Sequence, residues 1–361
     1  MDEESRDALE VLRDGDVPPW LRNAAAIGWR LLVVGAVVLA SAVAVVKLRV
    51  VVVPLLLALL LAAILAPPAG WLKDRGWPPL LATWAVVLVA IGVLTGIGWL
   101  VVPRFVDGLA EVGDSLVDAY EDIKTWVIEG PLAVDPAAVA DAEDALVDRL
   151  QRIAEAGVTS QAALVVEIIT AAFLTLIVTF FYIKDGDTFT ETFVDRFPEP
   201  VQPRLREALA EGWHVLQRYV AGVFVVGLAD AALIGIGIAI VGVPLVLPIM
   251  VLTFLAAFFP LVGAIFAGGI ATLLALASGG LGDAIIVLLI TIVVQQLDGD
   301  VIAPLVYSRA VDLHPLAILL AITAGGVLAG LLGALLAVPV LAVTLAMRRS
   351  WLTFTTEGVE P

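Results

Sequence analysis

Apolar residues in this chain come in long unbroken runs, without the polar interruptions every third or fourth residue that soluble helices show. Eight runs stand out: Leu31 to Val46, Val50 to Ala66, Leu80 to Val102, Ala162 to Ile183, Tyr219 to Val241, Leu245 to Ala277, Ala284 to Val294, and Leu316 to Ala346. Apolar runs of about 18 residues or more mark helices that cross a hydrocarbon core of roughly 30 Å. A membrane barrel would alternate apolar and polar positions with period two. These runs are apolar on all sides, so they predict helices. The predicted fold is all-α: a polytopic helical membrane protein with about eight hydrophobic segments, two of them long and broken or re-entrant.

The two long segments carry that last expectation. Leu245 to Ala277 would be about 50 Å as one continuous helix, and it holds Pro260 and Gly263 near its middle. Leu316 to Ala346 is interrupted by Gly325, Gly326, Gly330 and Gly333. Steep tilt would also accommodate the excess length. Irregular backbone at membrane depth persists only where it is buried or lines a cavity, and paired interrupted segments point to a transport site.

Polar stretches divide the rest. The predicted order is a cytoplasmic N-terminal segment (1–28), three membrane helices (29–102), acidic amphipathic extracellular helices (103–160), a fourth membrane helix (161–184), a cytoplasmic amphipathic helix (185–218), a C-terminal membrane core (219–348) and a cytoplasmic tail (349–361). In 103–160, Val106, Leu109, Val112, Leu116 and Tyr120 recur at helical spacing. Asp185-Gly186-Asp187 and the proline-rich 197–203 read as breakers. With eight spans and a cytoplasmic N-terminus, 13 Lys and Arg fall inside and seven outside, so both termini are expected in the cytoplasm of a cell-membrane protein. Met1 to Ala26 is mixed and acidic, unlike the positive start of a signal peptide.

Composition agrees with a membrane chain: 61% hydrophobic and only 16% charged residues, against about 25% charged in soluble domains. The net charge of −16 is concentrated outside the apolar runs. Residues 103–160 hold 13 acidic and four basic side chains, and the chain has four lysines against 16 arginines. Such a surface suits a halophilic, archaeal source; an ordinary acidic loop domain explains it equally well. No basic patch for nucleic acid is present, and no cofactor is implied. With no cysteine, thiol chemistry and Cys-based metal sites are excluded, and two histidines make a multi-histidine metal site an unattractive reading. No phosphate loop or HExxH motif occurs, so neither an ATPase nor a zinc protease is expected. The chain is not expected to be an enzyme.

Two places carry candidate chemistry. Asp230 lies in the middle of the run from Tyr219 to Val241, where an ionisable group is costly and faces the protein interior or water. The alternative is a structural hydrogen bond between helices. The second place is the stretch 295–315, with Gln295, Gln296, Asp298, Asp300, Arg309, Asp312 and His314. Carboxylates there would bind a cation or relay a proton, or else sit in an exposed loop between spans. Small residues in 235–242, 263–269 and 325–333 have the spacing of close helix contacts.

The C-terminal half resembles the AI-2E (autoinducer-2 exporter-like) family. The matching stretches are "GVP" at 242–244, "FPLVGAIFAGGIATLLAL" at 259–276, "QQLDGDVIAPLVYSRAVDLHPL" at 295–316 and "AGGVLAGLLGALLAVPVLAV" at 324–343, with "FYIKDG" at 181–186 fitting the end of the fourth span. The chain departs where the family often carries Arg-Gly-Gln after a tyrosine; here Ala221, Gly222 and Val223 stand. Asp230 is not part of the family pattern. The resemblance implies a secondary transporter embedded in the lipid bilayer, exporting a small polar organic solute or signalling molecule. It also implies a homo-oligomer, a pentamer by analogy. Exchange of a monovalent cation for protons is the first alternative, with Asp230, Asp298 or Asp300 as carrier. A non-transporting scaffold is the second.

Overall fold

The computed structural model describes residues 25–30, 32–37, 43, 47–129, 161–259, 262–299 and 314–356. Eight helices are described: α1 (Ala25–Val37), α2 (Arg49–Asp74), α3 (Pro79–Glu129), α4 (Gln161–Val194), α5 (Gln202–Val241), α6 (Val246–Ala256), α7 (Val262–Leu297) and α8 (Pro315–Thr356). Six of them, all but α1 and α6, are long and apolar enough to cross a membrane, as the apolar runs predict. The chain forms two units, Met1–Val52 and Val53–Pro361; the second carries all that follows.

Many large apolar side chains stand exposed, among them Trp99, Ile240, Ile265 and Val327, each more than three-quarters accessible. Apolar surface on this scale is tolerated where lipid covers it. Trp71, Trp77 and Trp351 are exposed near one end of the unit, the level where tryptophans anchor at a membrane interface. That end also gathers basic groups. Lys73 Nζ donates to the Ile183 carbonyl at 2.8 Å, Arg206 pairs with Glu191 at 2.7 Å, and the Arg204 guanidinium lies 5.4 Å from the Phe354 ring. It is called the basic face below.

Three predicted boundaries are not breaks in the backbone. α3 runs through Pro103 to Glu129, so the membrane helix continues into the acidic stretch. α4 runs through Asp185-Gly186-Asp187 to Val194. A single glycine inside a helix costs only about 1 kcal/mol, and here the Lys184–Asp185 pair at 2.8 Å and Thr190 Oγ1 donating to the Gly186 carbonyl at 3.0 Å lie beside it. α5 joins the predicted cytoplasmic helix and the fifth span into one 40-residue helix, about 60 Å long. The proline-rich turn does end α4, and α5 begins behind it with a proline in its first turn. Residues 130–160, most of 1–28, and 357–361 lie outside the described residues.

α7 and α8 are hairpins. Gly280, at φ 77°, interrupts α7, and Gly268 lies against Thr291. A straight helix would hold those two residues about 34 Å apart, so the two arms fold back on one another. In α8, Ala329 and Gly330 leave helical geometry, and Gly325 packs backbone-to-backbone against Gly333. The first arm, Pro315 to Leu328, is about 21 Å long, too short to cross a bilayer. The predicted break near Gly263 is present between α6 and α7, with Gly263 pressed on the Ala256 carbonyl; Pro260 lies outside the described residues. The break at Gly280 falls in the gap 278–283 between the apolar runs Leu245 to Ala277 and Ala284 to Val294.

Candidate functional site

The buried face of α5 is a stripe of small and β-branched residues: Val220, Val223, Gly227, Asp230, Ala231, Ile234, Gly235 and Ile238. Its glycines are notches. A Cβ on Gly227 would meet Ala257 Cβ at 2.8 Å, and one on Gly237 would meet Ile290 Cγ2 at 2.6 Å; Gly235 faces the Met250 side chain. These contacts draw α6 and the second arm of α7 against α5, both antiparallel to it. Ile234, Ile238, Ile249, Leu274 and Val287 form the apolar core above the notches.

The contacts fix heights along α5. Ile290 lies beside Gly237. The stretch of α7 from Ile290 on to Asp298 equals the stretch of α5 from Gly237 back to Ala229. Met347 lies beside Gly212. The stretch of α8 from Met347 back to the tip at Gly330 equals the stretch of α5 from Gly212 on to Ala229. Thr253 falls between the Met250 and Ala257 contacts, level with Ala231. Asp298, Thr253 and the α8 tip therefore converge on the level of Asp230. That level lies about 17 Å from the end of α5, near the bilayer midplane. The α6–α7 elements reach it from the Gly242 side and α8 reaches it from the basic face.

Asp230 is 5% exposed, and Asp298 is near enough for the two carboxylate charges to interact. Asp230 Oδ1, Thr253 Oγ1 and Asp298 Oδ1 are all buried without a hydrogen-bond partner among the described residues. Thr175, Thr179, Thr272 and Thr291 each donate to a backbone carbonyl within their helix, so the unpartnered hydroxyl of Thr253 is distinctive. α7 ends in a π-type turn at Asp298 and Gly299, a local irregularity frequent at functional sites. A buried carboxylate without a partner is expensive. Two whose charges interact are relieved by a proton or a cation bound nearby.

The other sequence candidates are placed differently. Gln295 is half-buried beside this level and Gln296 is exposed. His314 stands at the start of α8, its Nδ1 accepting from the Leu316 N–H at 3.2 Å, at the basic end of that hairpin and away from Asp230. Gly326 faces open space. Asp300, Arg309 and Asp312 lie outside the described residues. Sequence reasoning missed Thr253; its only signal was position, one of the few polar residues in the run from Leu245 to Ala277.

A cavity of about 810 Å³ lies between α2, α4, α5 and α8, on the basic side of this level. Its deepest residue on α8, Leu336, is level with Val223, about 10 Å from the Asp230 level. Buried Val223, Val226 and Gly227 occupy the interval.

The sequence profile of the AI-2E family transporters matches residues 31–353. The chain belongs to the AI-2E transporter family. It is 41% identical over 334 residues to MT0215 of Mycobacterium tuberculosis, covering 92% of this chain and 91% of the relative. It is 24% identical over 320 residues to YrrI of Bacillus subtilis, covering 86% and 89%, and 26% identical over 295 residues to YueF of the same organism, covering 77% and 78%. All three carry provisional names as transport proteins. AI-2E membership and the six apolar helices make this a multi-pass membrane protein of a transporter family. The relatives lend no support to a halophilic archaeal source: the 41% match is mycobacterial.

Proposed function

We propose that this AI-2E protein is a secondary transporter that moves a small organic solute out of the cell, coupled to a proton or monovalent cation at Asp230 and Asp298. The carrying observation is that two carboxylates whose charges interact and the Thr253 hydroxyl each have a buried oxygen with no hydrogen-bond partner among the described residues, at one level of α5. Helix ends and breaks meeting at the midplane are how secondary transporters build ion and substrate sites. The same pair supports direct exchange of a cation for protons. A scaffold has no use for a buried carboxylate pair. In this reading the basic face is cytoplasmic, by the excess of Lys and Arg there, both termini lie inside the cytoplasmic membrane, and the protein works as a homo-oligomer.

The test is collapse of a pH gradient by sodium in everted vesicles, for wild type, Asp230→Asn and Asp298→Asn at equal protein level. Collapse by wild type and its loss in either variant supports cation–proton exchange through the pair. No response to sodium at any pH removes the exchanger reading and leaves proton-coupled solute export. Full activity in both variants removes the pair from the mechanism.

A further inference from the structure

The cavity beside the basic face has a lining that sorts by depth. Along α2 it extends from Leu56 to Lys73, about 25 Å. Its inner part is walled by Leu56, Leu59, Leu60, Leu216, Leu336 and Val340. Its charged groups gather at the outer end, where Lys73 and Arg206 stand against Asp187 and Glu191, two cationic and two anionic. The pairing is tight: Arg206 Nε and Nη2 donate to both Glu191 oxygens at 2.9 and 2.7 Å, and Lys73 Nζ donates to the Ile183 carbonyl. The volume falls in the range of pockets that enclose small organic ligands.

Such a lining selects by chemistry. Tyr182, Thr190, Trp213, His214 and Thr344 also line the cavity, but hydroxyls of a sugar-like solute that face the inner leucines would go unpaired, at the cost of unmade hydrogen bonds. A strongly anionic or cationic ligand would meet a mouth whose own charges balance, and would have to break the Arg206–Glu191 pair to gain one.

We propose that this cavity binds an amphipathic solute, with an apolar body among the α2, α5 and α8 leucines and an uncharged or zwitterionic head at the Lys73–Arg206 mouth. This rests on the transporter reading and replaces the small polar solute expected from the sequence by an amphipathic one. A zwitterionic membrane lipid has the same chemistry; the inner end stops about two helical turns short of the proposed coupling level at Asp230, which places a bound solute where transport could act on it.

The test is photolabelling of the full chain in nanodiscs with a diazirine-bearing decyl betaine, reading labelled peptides by mass spectrometry. Two variants fill the cavity, Gly70→Leu and Gly186→Leu; both glycines line it, and a Cβ on either meets nothing within 4 Å. The expected result is labelling on α5 and α8 peptides facing the cavity, displaced by unmodified decyl betaine and reduced about tenfold in both variants. A matched decyl carboxylate and decyl trimethylammonium probe should label at least tenfold less. Asp230→Asn should label like wild type, which separates this proposal from the coupling role of the pair. Labelling that persists in both filled variants overturns it. So does equal labelling by the charged probes. Labelling by a diazirine phosphatidylcholine that decyl betaine fails to displace also overturns it and assigns the cavity to lipid.

Discussion

At the Asp230 level three polar oxygens are buried with no partner among the described residues, under helices clamped by glycine notches. In the cavity nearer the basic face, Arg206 is paired with Glu191, Lys73 donates to the Ile183 carbonyl, and the walls stand apart around about 810 Å³. One region is tight and leaves oxygens unsatisfied among the described residues; the other is roomy. An interior that leaves carboxylates unpartnered gives up stability there, and it does so where a proton or cation can complete the site. A cavity whose mouth charges balance in number gains little from an ion and binds mainly by shape and apolar area. On the proposed reading, ion coupling and solute binding occupy different levels of the same helices.

Substitutions that break this contrast should differ in size. Asp230→Asn is expected to lower coupled transport in proteoliposomes by at least 100-fold, while the melting temperature in detergent stays equal or rises, because the cost of a buried unpaired carboxylate is removed. A transport loss accompanied by a lower melting temperature would mark Asp230 as a structural residue. Gly263→Ala should destabilise the protein by about 2 kcal/mol, since the added Cβ runs into the Ala256 backbone, which cannot rotate away; thermal unfolding checks it. Thr253→Val keeps the volume and removes the hydroxyl. It should weaken the apparent affinity for the coupling ion about tenfold with little change in melting temperature, as measured by titrating the ion against transport rate. Glu191→Gln should be smallest. The Arg206–Glu191 pair is about half exposed, and exposed pairs contribute little, so the melting temperature should not move while labelling by the anionic probe increases.

Asp230 was legible in the sequence because depth in an apolar run is a local property. The same holds for the breaks at Gly263 and Gly330, where small and rigid residues interrupt segments too long for one crossing. Asp298 reads in sequence as the end of a helix or a loop. Its place at the midplane follows from the fold of α7 about Gly280, which pairs Gly268 with Thr291 and returns the chain to the level it left. Thr253 had only the weak signal of a polar residue in a long apolar run. The predicted breaker at 185–187 does not end α4, and the helices α3 and α5 run on past 102 and 218, because the backbone of a helix keeps its hydrogen bonds as readily in water as in lipid.

The sequence by itself determined the solvent. Eight apolar runs, sparse charge and one acid at mid-run make a helical membrane protein with something costly at its centre, because hydrophobic transfer depends on composition within a window of about twenty residues. Tertiary structure alone decided what meets that acid. The meeting depends on where glycine notches let helices approach and on which way two hairpins fold, contacts between residues tens to more than a hundred positions apart, and no local pattern encodes them.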